Sequence, residues 1–251
     1  MILSVKNPKY RLVKDLLNRA KVRREQKAFI IEGLRSFQEA PKEDIVEVFI
    51  SAQFQKEHPE IEGEVVNNNL FQSLSDVKTP QGILAIVRQK SYTLEYILES
   101  GRKFFLILDG VQDPGNMGTI IRTCEGAGVS GIILDRSSAD IYAPKVVRST
   151  MGSIFRVPFF YTEDLCAAVL KMKGMGIGVY GAVSDSASFY HEIEYAKNAA
   201  FLIGSEGRGL REELKELADM GVAIPMGGKL ESLNAAISAA LLLYRYRTQQ
   251  L

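Results

Sequence analysis

From Phe104 onward the sequence alternates short apolar runs with stretches of helical periodicity, and this alternation limits the possible folds more than any other feature. Apolar runs bounded by turn residues predict buried strands, and apolar residues at helical spacing predict amphipathic helices. Strands that alternate with helices form a largely parallel sheet covered on both faces. This α/β pattern predicts strands at Phe104–Leu108, Gly131–Leu134, Gly178–Ala182, Ala200–Ile203 and Val222–Pro225, and helices at 117–127, 164–173, 209–219 and 232–247.

The last of these helices has a regular apolar pattern. Six residues follow the spacing of one helix face: Leu233, Ala236, Ile237, Ala240, Leu241 and Tyr244. Such a stripe faces the core in most globular proteins, so we expect it to be buried.

The first ninety residues mix helical and strand patterns in a different way. Residues 7–22 carry Val13, Leu16 and Leu17 at helical spacing among lysines and arginines, which predicts a basic amphipathic helix. Short β-rich runs follow at Phe29–Ile31, Ile45–Ile50, Val65–Val66 and Ile83–Val87. We therefore expect a small α+β domain over residues 1–92, a linker over 93–103 and the α/β domain over 104–251.

Charge is distributed unevenly, although the net charge is only +1. Residues 1–27 hold nine lysines and arginines against Asp15 and Glu25, whereas residues 40–64 hold seven acidic residues against two lysines. A basic block of this density can bind the phosphates of a nucleic acid. It can equally form a solvated helix face beside an acidic neighbour, and charge alone leaves both interpretations open.

Several classes of protein are excluded. A chain that is 46% hydrophobic and 24% charged is typical of globular proteins, and no apolar run approaches the roughly 18 residues that span a bilayer. Cys124 and Cys166 allow no disulfide framework, and His58 and His191 lack neighbours at zinc-ligand spacing, so we expect no metal. The amino terminus lacks the order of a secretion signal, so we expect a cytoplasmic protein without membrane contact.

Three of the predicted strands are followed by polar or glycine-rich sequence. In open α/β sheets, ligands bind at the carboxyl ends of the strands, where these segments would lie. After the first of these strands, Asn116 stands at a helix N-cap position and Gly118 lies one turn before Arg122. Gly118 would leave open surface, so that the Arg122 guanidinium could meet a phosphate or a ribose. The structural alternative is a capping asparagine and a surface pair between Arg122 and Glu125.

The other two segments also have structural alternatives. A buried strand enters the glycine-rich run Gly204–Gly209, which contains Glu206. Glycines let a ligand approach the backbone, but a tight turn before a helix looks similar. The third segment joins Ile224-Pro225-Met226 to Ser232-Leu233-Asn234, where Ser232 or Asn234 could simply cap the last helix. No dinucleotide-binding or P-loop motif is present.

Together and in this order, the three segments resemble the SpoU (TrmH) family of RNA ribose 2′-O-methyltransferases, part of the SPOUT class. The motif N-x-G-x-x-x-R matches Asn116, Gly118 and Arg122, and the motif G-x-E-G-x-G matches Gly204, Glu206, Gly207 and Gly209. The motif I-P-M followed by S-L-N matches Ile224, Pro225, Met226, Ser232, Leu233 and Asn234. The first ninety residues are similar to that family's substrate-binding domain, through Asn7, Lys14, Phe29, Glu32 and Gly33.

The resemblance implies an enzyme that transfers a methyl group from S-adenosylmethionine to a ribose 2′-hydroxyl of structured RNA. It further implies a deep trefoil knot in the α/β domain and a homodimer with the active site at the subunit interface. It places the donor against the backbone around Ala182, Gly204, Ile224, Met226 and Leu233, with Ala182 matched by position only. It assigns the catalytic positions to Asn116, Arg122, Glu206, Ser232 and Asn234.

The chemistry of its guanidinium group limits the role that Arg122 can have. The family assigns its position to activating the hydroxyl, but a guanidinium stays protonated in proteins. We therefore expect Arg122 to stabilise the developing alkoxide and to hold the adjacent phosphate. We also expect Lys229 and Glu231, near the donor site, to point outward.

The basic amino-terminal domain favours ribosomal RNA as the substrate, because the tRNA-modifying relatives generally lack such a domain. A 2′-hydroxyl target also suits a protein that must distinguish RNA from DNA. Four alternatives stay open: a non-catalytic RNA-binding or ribosome-assembly protein of the same fold, transfer RNA as the substrate, methylation of a base, and antibiotic resistance through ribosomal RNA methylation. A protein that only binds RNA would not need Asn116, Arg122 and Glu206 together.

Overall fold

The computed structural model describes residues 1–75, 77–99 and 101–251, which form two compact units. The first unit comprises Met1–Lys90 and Asp140–Phe155, and the second comprises Ser91–Ala139 and Arg156–Leu251. The first unit ends at Lys90 and takes in Asp140–Phe155, so its bounds differ from the single span 1–92 expected from the sequence. None of the helices in the described ranges is both long and apolar enough to cross a bilayer.

The first unit is built on a four-stranded sheet with the strand order β1-β4-β2-β3. Its strands are β1 (Ala28–Glu32), β2 (Ile45–Ser51), β3 (Glu64–Val66) and β4 (Ile83–Arg88). Strand β4 is antiparallel to β1 and β2, and β3 is parallel to β2. The helices of this unit, numbered along the chain, are α1 (Pro8–Asn18), α2 (Ala20–Gln26), α3 (Leu34–Glu39), α4 (Ala52–Glu57), α5 (Asn68–Leu74) and α8 (Pro144–Thr150).

The basic amphipathic helix predicted over residues 7–22 is confirmed only in part: α1 ends at Asn18, Arg19 is extended, and a second helix, α2, begins at Ala20. The Asn7 side chain caps α1 by accepting a hydrogen bond from the Lys9 amide, and Pro8 occupies the first helical position. Val13, Leu16 and Leu17 are buried, as their spacing predicts.

Four of the nine basic side chains in residues 1–27 are held in ion pairs. Lys9 pairs with Glu47 and Glu64 of the acidic segment, and the other three pairs are Arg19–Asp15, Lys21–Glu25 and Arg23–Asp140. Five exposed or half-exposed cations have no side-chain hydrogen bond or ion pair to any described residue: Lys6, Arg11, Lys14, Arg24 and Lys27. These ion pairs support the interpretation of a solvated, paired surface for part of the block, and phosphate binding by the other five cations stays a prediction.

Arg23 is the buried member of that block. Its Nε and Nη2 atoms donate to Oδ2 of Asp140 at 3.0 and 2.7 Å. Its Nη1 atom donates to the carbonyl oxygens of Leu16 and Leu17 at 2.7 and 3.2 Å. These carbonyls lie in the last turn of α1, where helix carbonyls lack intrahelical partners. Arg23 thus joins residues 140–155 to the first helix of the chain.

The second unit contains a six-stranded sheet with the order β10-β8-β9-β5-β6-β7, in which every pair of neighbouring strands is parallel. The strands are β5 (Phe104–Asp109), β6 (Gly131–Asp135), β7 (Phe159–Thr162), β8 (Gly178–Ala182), β9 (Ala199–Gly204) and β10 (Met220–Val222). The helices are α6 (Leu94–Leu98), α7 (Pro114–Ala127), α9 (Leu165–Gly174), α10 (Glu212–Leu217) and α11 (Ala235–Gln249). The predicted α/β fold with a parallel sheet is confirmed.

Helices cover both faces of this sheet. Successive residues of a strand point to opposite faces, and Phe104 and Phe105 illustrate this at the start of β5. The ring centroids of Phe104 and of Tyr246 on α11 lie 4.3 Å apart. Phe105 belongs to the core cluster that contains Val169 and Met172 of α9.

Two expectations about helix faces are wrong. The buried residues of α11 are Ala235, Ala236, Ala239, Leu242, Leu243 and Tyr246, whereas Ile237 and Tyr244 of the predicted stripe are 52% and 46% exposed. Gly118 does not leave open surface, because it is buried on α7. Helix α7 packs closely on α11: a Cβ atom at Gly126 would lie 2.6 Å from the hydroxyl oxygen of Tyr244.

Candidate active site

The three glycine-rich or polar segments meet at one edge of the sheet in the second unit. Because all its strands are parallel, their carboxyl ends lie at the same edge, and Asp109 at the end of β5 stands opposite Gly204 at the end of β9. Strands β8 and β10 lie beyond β9 in the strand order. This edge is where open α/β sheets bind ligands.

A chain of hydrogen bonds joins all three segments. Oδ1 of Asn234 accepts from the amides of Ala236 and Ile237 at 2.9 and 3.4 Å, at the start of α11. Its Nδ2 atom donates to Oδ1 of Asn116 at 2.9 Å, and Nδ2 of Asn116 donates to Oε1 of Glu206. The helix amides therefore fix the orientation of both asparagine side chains, and Glu206 accepts the last hydrogen bond.

Asn116 and Asn234 were both candidates for helix caps, and of the two only Asn234 caps a helix. Asp113, and not Asn116, caps α7, since Oδ1 of Asp113 accepts from the Asn116 amide at 2.8 Å. Asn116 is thereby left free to use its side chain elsewhere. Asn234 does cap α11, and its Nδ2 atom is still available for Asn116. A structural role and a place in the site coexist in this residue.

A pocket of about 360 Å³ opens beside this chain of hydrogen bonds. Glu206 and Ser232 line it, which connects the pocket to the hydrogen-bonded residues. All five positions expected to contact a donor also line it: Ala182, Gly204, Ile224, Met226 and Leu233. The structure thus brings the second and third segments around one cavity, at the end of β8.

Charged side chains of both signs surround the pocket. Its carboxylates are Asp185, Glu206 and Glu231, and its cations are Arg208 and Lys215. Glu231 is exposed and is also among the residues that line the pocket. Lys229 is exposed, as expected. The pocket can therefore hold a ligand that carries both positive and negative groups.

The run Gly204–Gly209 forms a closed turn. The Gly209 amide donates to the Ser205 carbonyl oxygen at 2.9 Å, and Gly209 adopts a φ of +67°, which favours glycine. A Cβ atom at Gly204 would lie 2.1 Å from the carbonyl carbon of Gly209, so only glycine fits there. The glycines of this motif are therefore needed for the turn itself.

Aspartates at two strand ends support this edge. Asp109, which sequence reasoning missed, pairs with Arg211 just after the turn. Asp135 at the end of β6 accepts hydrogen bonds from the Gly110 amide and from Ser137 and Ser138. Burial raises the pKa of Asp135, but these hydrogen bonds outweigh burial and hold it below the ordinary value for an aspartate. The sequence signal for Asp109 and Asp135 is the same, since each is an acidic residue at the end of a buried strand.

Arg122 lies apart from the pocket within its own chain. It is exposed on α7, it does not line the cavity, and it has no hydrogen bond or ion pair to any described residue. The alternative of a surface pair with Glu125 is wrong, because Glu125 pairs with Arg156, whose Nη2 atom lies 3.2 Å from Oε2. Within the described ranges no group of His, Cys, Asp and Glu side chains is arranged to hold a metal.

Comparison with known proteins matches both parts of the chain to families. The SpoU rRNA Methylase family matches residues 103–244, and the MRM3-like substrate binding domain matches residues 7–85. The chain is 34% identical over 253 residues to the 23S rRNA (guanosine(2553)-2′-O)-methyltransferase RlmP of Bacillus subtilis, with 98% of each chain covered.

Solved structures agree with these matches. The SpoU methyltransferase AviRb from Streptomyces viridochromogenes, in complex with the cofactor AdoMet, superposes with a TM-score of 0.85 at 26% identity and covers 97% of this chain and 98% of its own. An AdoMet-bound rRNA methyltransferase from Sinorhizobium meliloti gives a TM-score of 0.83 at 31% identity, with 100% and 98% covered. The similarity extends over both units.

Proposed function

Because this chain belongs to the SpoU rRNA methylase family, we propose that it transfers a methyl group from S-adenosylmethionine to a ribose 2′-hydroxyl of ribosomal RNA. The observation that carries the proposal is the chain of hydrogen bonds from Asn234 through Asn116 to Glu206, at the rim of a ligand-sized pocket. A protein that only binds RNA has no need for a carboxylate oriented in this way.

The pocket suits the donor in size and in charge. A volume of about 360 Å³ falls within the range of small-molecule sites. S-adenosylmethionine carries a positive sulfur, an ammonium group and a carboxylate, and the pocket offers Asp185, Glu206 and Glu231 together with Arg208 and Lys215. Ala182, Gly204, Ile224, Met226 and Leu233 would hold the donor in this pocket.

The protein's own part in the reaction is to position the acceptor. When bound, S-adenosylmethionine supplies a methyl group on a positively charged sulfur, so the acceptor oxygen must be held in line with that bond. Asn116 fixes one carboxylate oxygen of Glu206, and the other has no partner among the described residues. Glu206 and Ser232 would then hold the ribose hydroxyl by hydrogen bonds, and the second carboxylate oxygen of Glu206 would take the hydroxyl proton as the ribose oxygen accepts the methyl group.

Arg122 points to a homodimer. Its exposed guanidinium, outside its own pocket, would stabilise the alkoxide in the pocket of a second copy. The partly exposed apolar stripe of α11, which includes Ile237 and Tyr244, is available to pack against that copy. The trefoil knot implied by the resemblance stays a prediction.

The first unit supplies a surface for RNA. Its five cations without partners, defined above, can bind phosphates, and residues 7–85 match a substrate-binding domain. The first unit would thus bind the RNA, and the second unit would carry out methyl transfer. A ribosomal RNA substrate would place the protein in the cytoplasm.

Methyl-labelled S-adenosylmethionine and unmodified ribosomal RNA test this proposal directly. A 2′-O-methyl group blocks alkaline cleavage of the adjacent linkage, so we expect label in alkali-resistant dinucleotides and a loss of that label with Arg122→Ala. Label in mononucleotides would indicate base methylation instead. Binding of both donor and RNA without any transfer would favour the non-catalytic alternative, and transfer to tRNA alone would change the substrate.

A further inference from the structure

Asp109 is a buried carboxylate, and among the described residues it has one partner, Arg211, which contacts both of its oxygens. Oδ2 accepts a hydrogen bond from the Arg211 amide at 2.8 Å, and Oδ1 lies 2.7 Å from Nε of the same arginine. The side chain of Asp109 is only 5% exposed, whereas that of Arg211 is 45% exposed. A buried charge is costly unless it is paired and hydrogen-bonded, and here Arg211 provides both.

This pair closes the base of the Gly204–Leu210 turn. Asp109 stands opposite Gly204 in the sheet, so it is fixed to the residue that enters the turn. Its side chain holds Arg211, the residue that follows the turn. Asp109 therefore sets the distance between Gly204 and Arg211, at the two ends of the turn.

The turn depends on that anchor because it has few bonds of its own. Besides the bond from the Gly209 amide to Ser205, it contains a hydrogen bond of 3.3 Å from the Arg208 amide to the Ser205 hydroxyl. Glycine loses more conformational freedom on ordering than any other residue, and the turn contains Gly204, Gly207 and Gly209. Every residue from Gly204 to Leu210 lines the pocket.

We propose that Asp109, acting through Arg211, is a positioning residue for the donor pocket and for Glu206. This inference rests on the proposed function, since it assigns the pocket to S-adenosylmethionine. Asp109 does not line the pocket. Its effect on the donor is transmitted by the turn, which places Glu206 within reach of Asn116.

Two single variants and their combination test the proposal. Asp109→Asn presents an amide NH₂ to the Arg211 guanidinium, and Arg211→Gln removes the cation but keeps the backbone amide. We expect Asp109→Asn to weaken donor binding by about 10-fold or more, measured by calorimetry without RNA, because a charge-assisted contact is lost. In Asp109→Asn/Arg211→Gln the two amides can pair, so the combined loss should be smaller than the product of the single losses.

Hydrogen exchange separates positioning from general destabilisation. We expect the Gly209 and Arg211 amides to exchange faster in Asp109→Asn, while the amides of the central strand β5 stay protected. Lys171→Gln is the matched control, because it removes an exposed ion pair of the same unit, with Glu95, and should change neither donor binding nor exchange in the turn.

The outcomes are distinct. Donor binding within two-fold of wild type, together with unchanged Gly209 protection, would overturn the proposal. If Asp109→Asn fails to fold, the half-exposed Arg211→Gln carries the same test. If the wild-type protein binds no donor, the proposed function fails, whereas the exchange of Gly209 in the free protein still decides whether Asp109 anchors the turn.

Discussion

Nδ2 of Asn234 donates a hydrogen bond to Oδ1 of Asn116 across 2.9 Å, although 118 residues separate the two asparagines in the chain. The direction of this bond is set by the first amides of α11, which occupy Oδ1 of Asn234. Glu206 is thereby oriented by the end of a helix with which it shares no direct hydrogen bond.

The variant Asn234→Asp should separate stability from catalysis. The new carboxylate would still cap α11 and suits a helix N-terminus, so we expect an unchanged or slightly higher melting temperature. One of its oxygens would, however, face Oδ1 of Asn116 and break the contact with Glu206. Methyl transfer should fall by about 100-fold, as for loss of one oriented catalytic hydrogen bond.

Asn67→Asp is the control for this change. Asn67 caps α5 in the first unit by accepting from the Asn69 amide, and its side chain has no further hydrogen bond to a described residue. The control should keep wild-type activity. Full activity of Asn234→Asp would show that the orientation of Asn116 is irrelevant.

Mixed dimers test whether Arg122 acts in the pocket of a second copy. Arg122→Ala and Glu206→Gln should each inactivate the protein when alone. After unfolding and refolding together, half of the dimers are mixed, and each contains one intact site, so about a quarter of the wild-type activity should return. Labelled methyl transfer measures it. No recovery, in a mixture that sedimentation shows to be dimeric, would place Arg122 and Glu206 in the same chain's site.

The free cations of α1 should contribute to the salt dependence of RNA binding. Neutralising two of them, in Arg11→Gln/Lys14→Gln, should reduce the slope of log K against log salt by about 0.7 to 0.9 per lost phosphate contact. Titration of labelled ribosomal RNA over a series of salt concentrations gives this slope.

Arg19→Gln/Lys21→Gln makes the same change in net charge, but at residues that are paired with Asp15 and Glu25. Its effect on the slope should be smaller. Equal slopes in the two double variants would mean that RNA responds to total charge and not to the free cations.

The lowered pKa of Asp135 predicts that the stability of the fold depends on pH. Since its pKa is lower in the folded chain than in the unfolded chain, the unfolded chain binds protons first, and the carboxylate stabilises the fold fully above about pH 4. This stabilisation is lost as the pH falls through the folded-state pKa. Urea unfolding should show Asp135→Asn to be less stable than wild type by about 1 kcal/mol at pH 7, with the difference shrinking as the pH falls below about 4.

Glu163→Gln is the reference for this measurement, because Glu163 is an exposed acid at the end of an exposed ion pair with Arg136. It should change stability little at any pH. A constant difference between Asp135→Asn and wild type from pH 7 to pH 2 would contradict the assignment.

The sequence predicted the sheet better than the packing of its helices. Apolar runs between turn residues located four of the six parallel strands, but the strand predicted at Val222–Pro225 overlaps β10 only at Val222, and Phe159–Thr162 of β7 was missed. The face of α11 was predicted wrongly because the helix has two apolar stripes. Ala235, Ala239, Leu242 and Tyr246 share the helical spacing with the stripe that was chosen, and periodicity cannot rank the two.

The same limit applies to the site. Motifs placed Asn116, Glu206 and Asn234 at strand ends, and parallel strands bring such ends together. The cap of α7 was misplaced because Asp113 and Asn116 are both good capping residues and lie three positions apart. Asp109 and Arg211 are 102 residues apart, so no local pattern could pair them.

The Arg23–Asp140 pair limits which segments of the chain can be exchanged during evolution. Residues 140–155 leave the catalytic part of the chain and complete the first unit, so the chain passes between the units three times. A copy cut after Lys90 would leave the buried Arg23 guanidinium without its carboxylate. An exchange of the first ninety residues alone would therefore separate Arg23 from Asp140, whereas an exchange that also carries residues 140–155 would keep this buried ion pair.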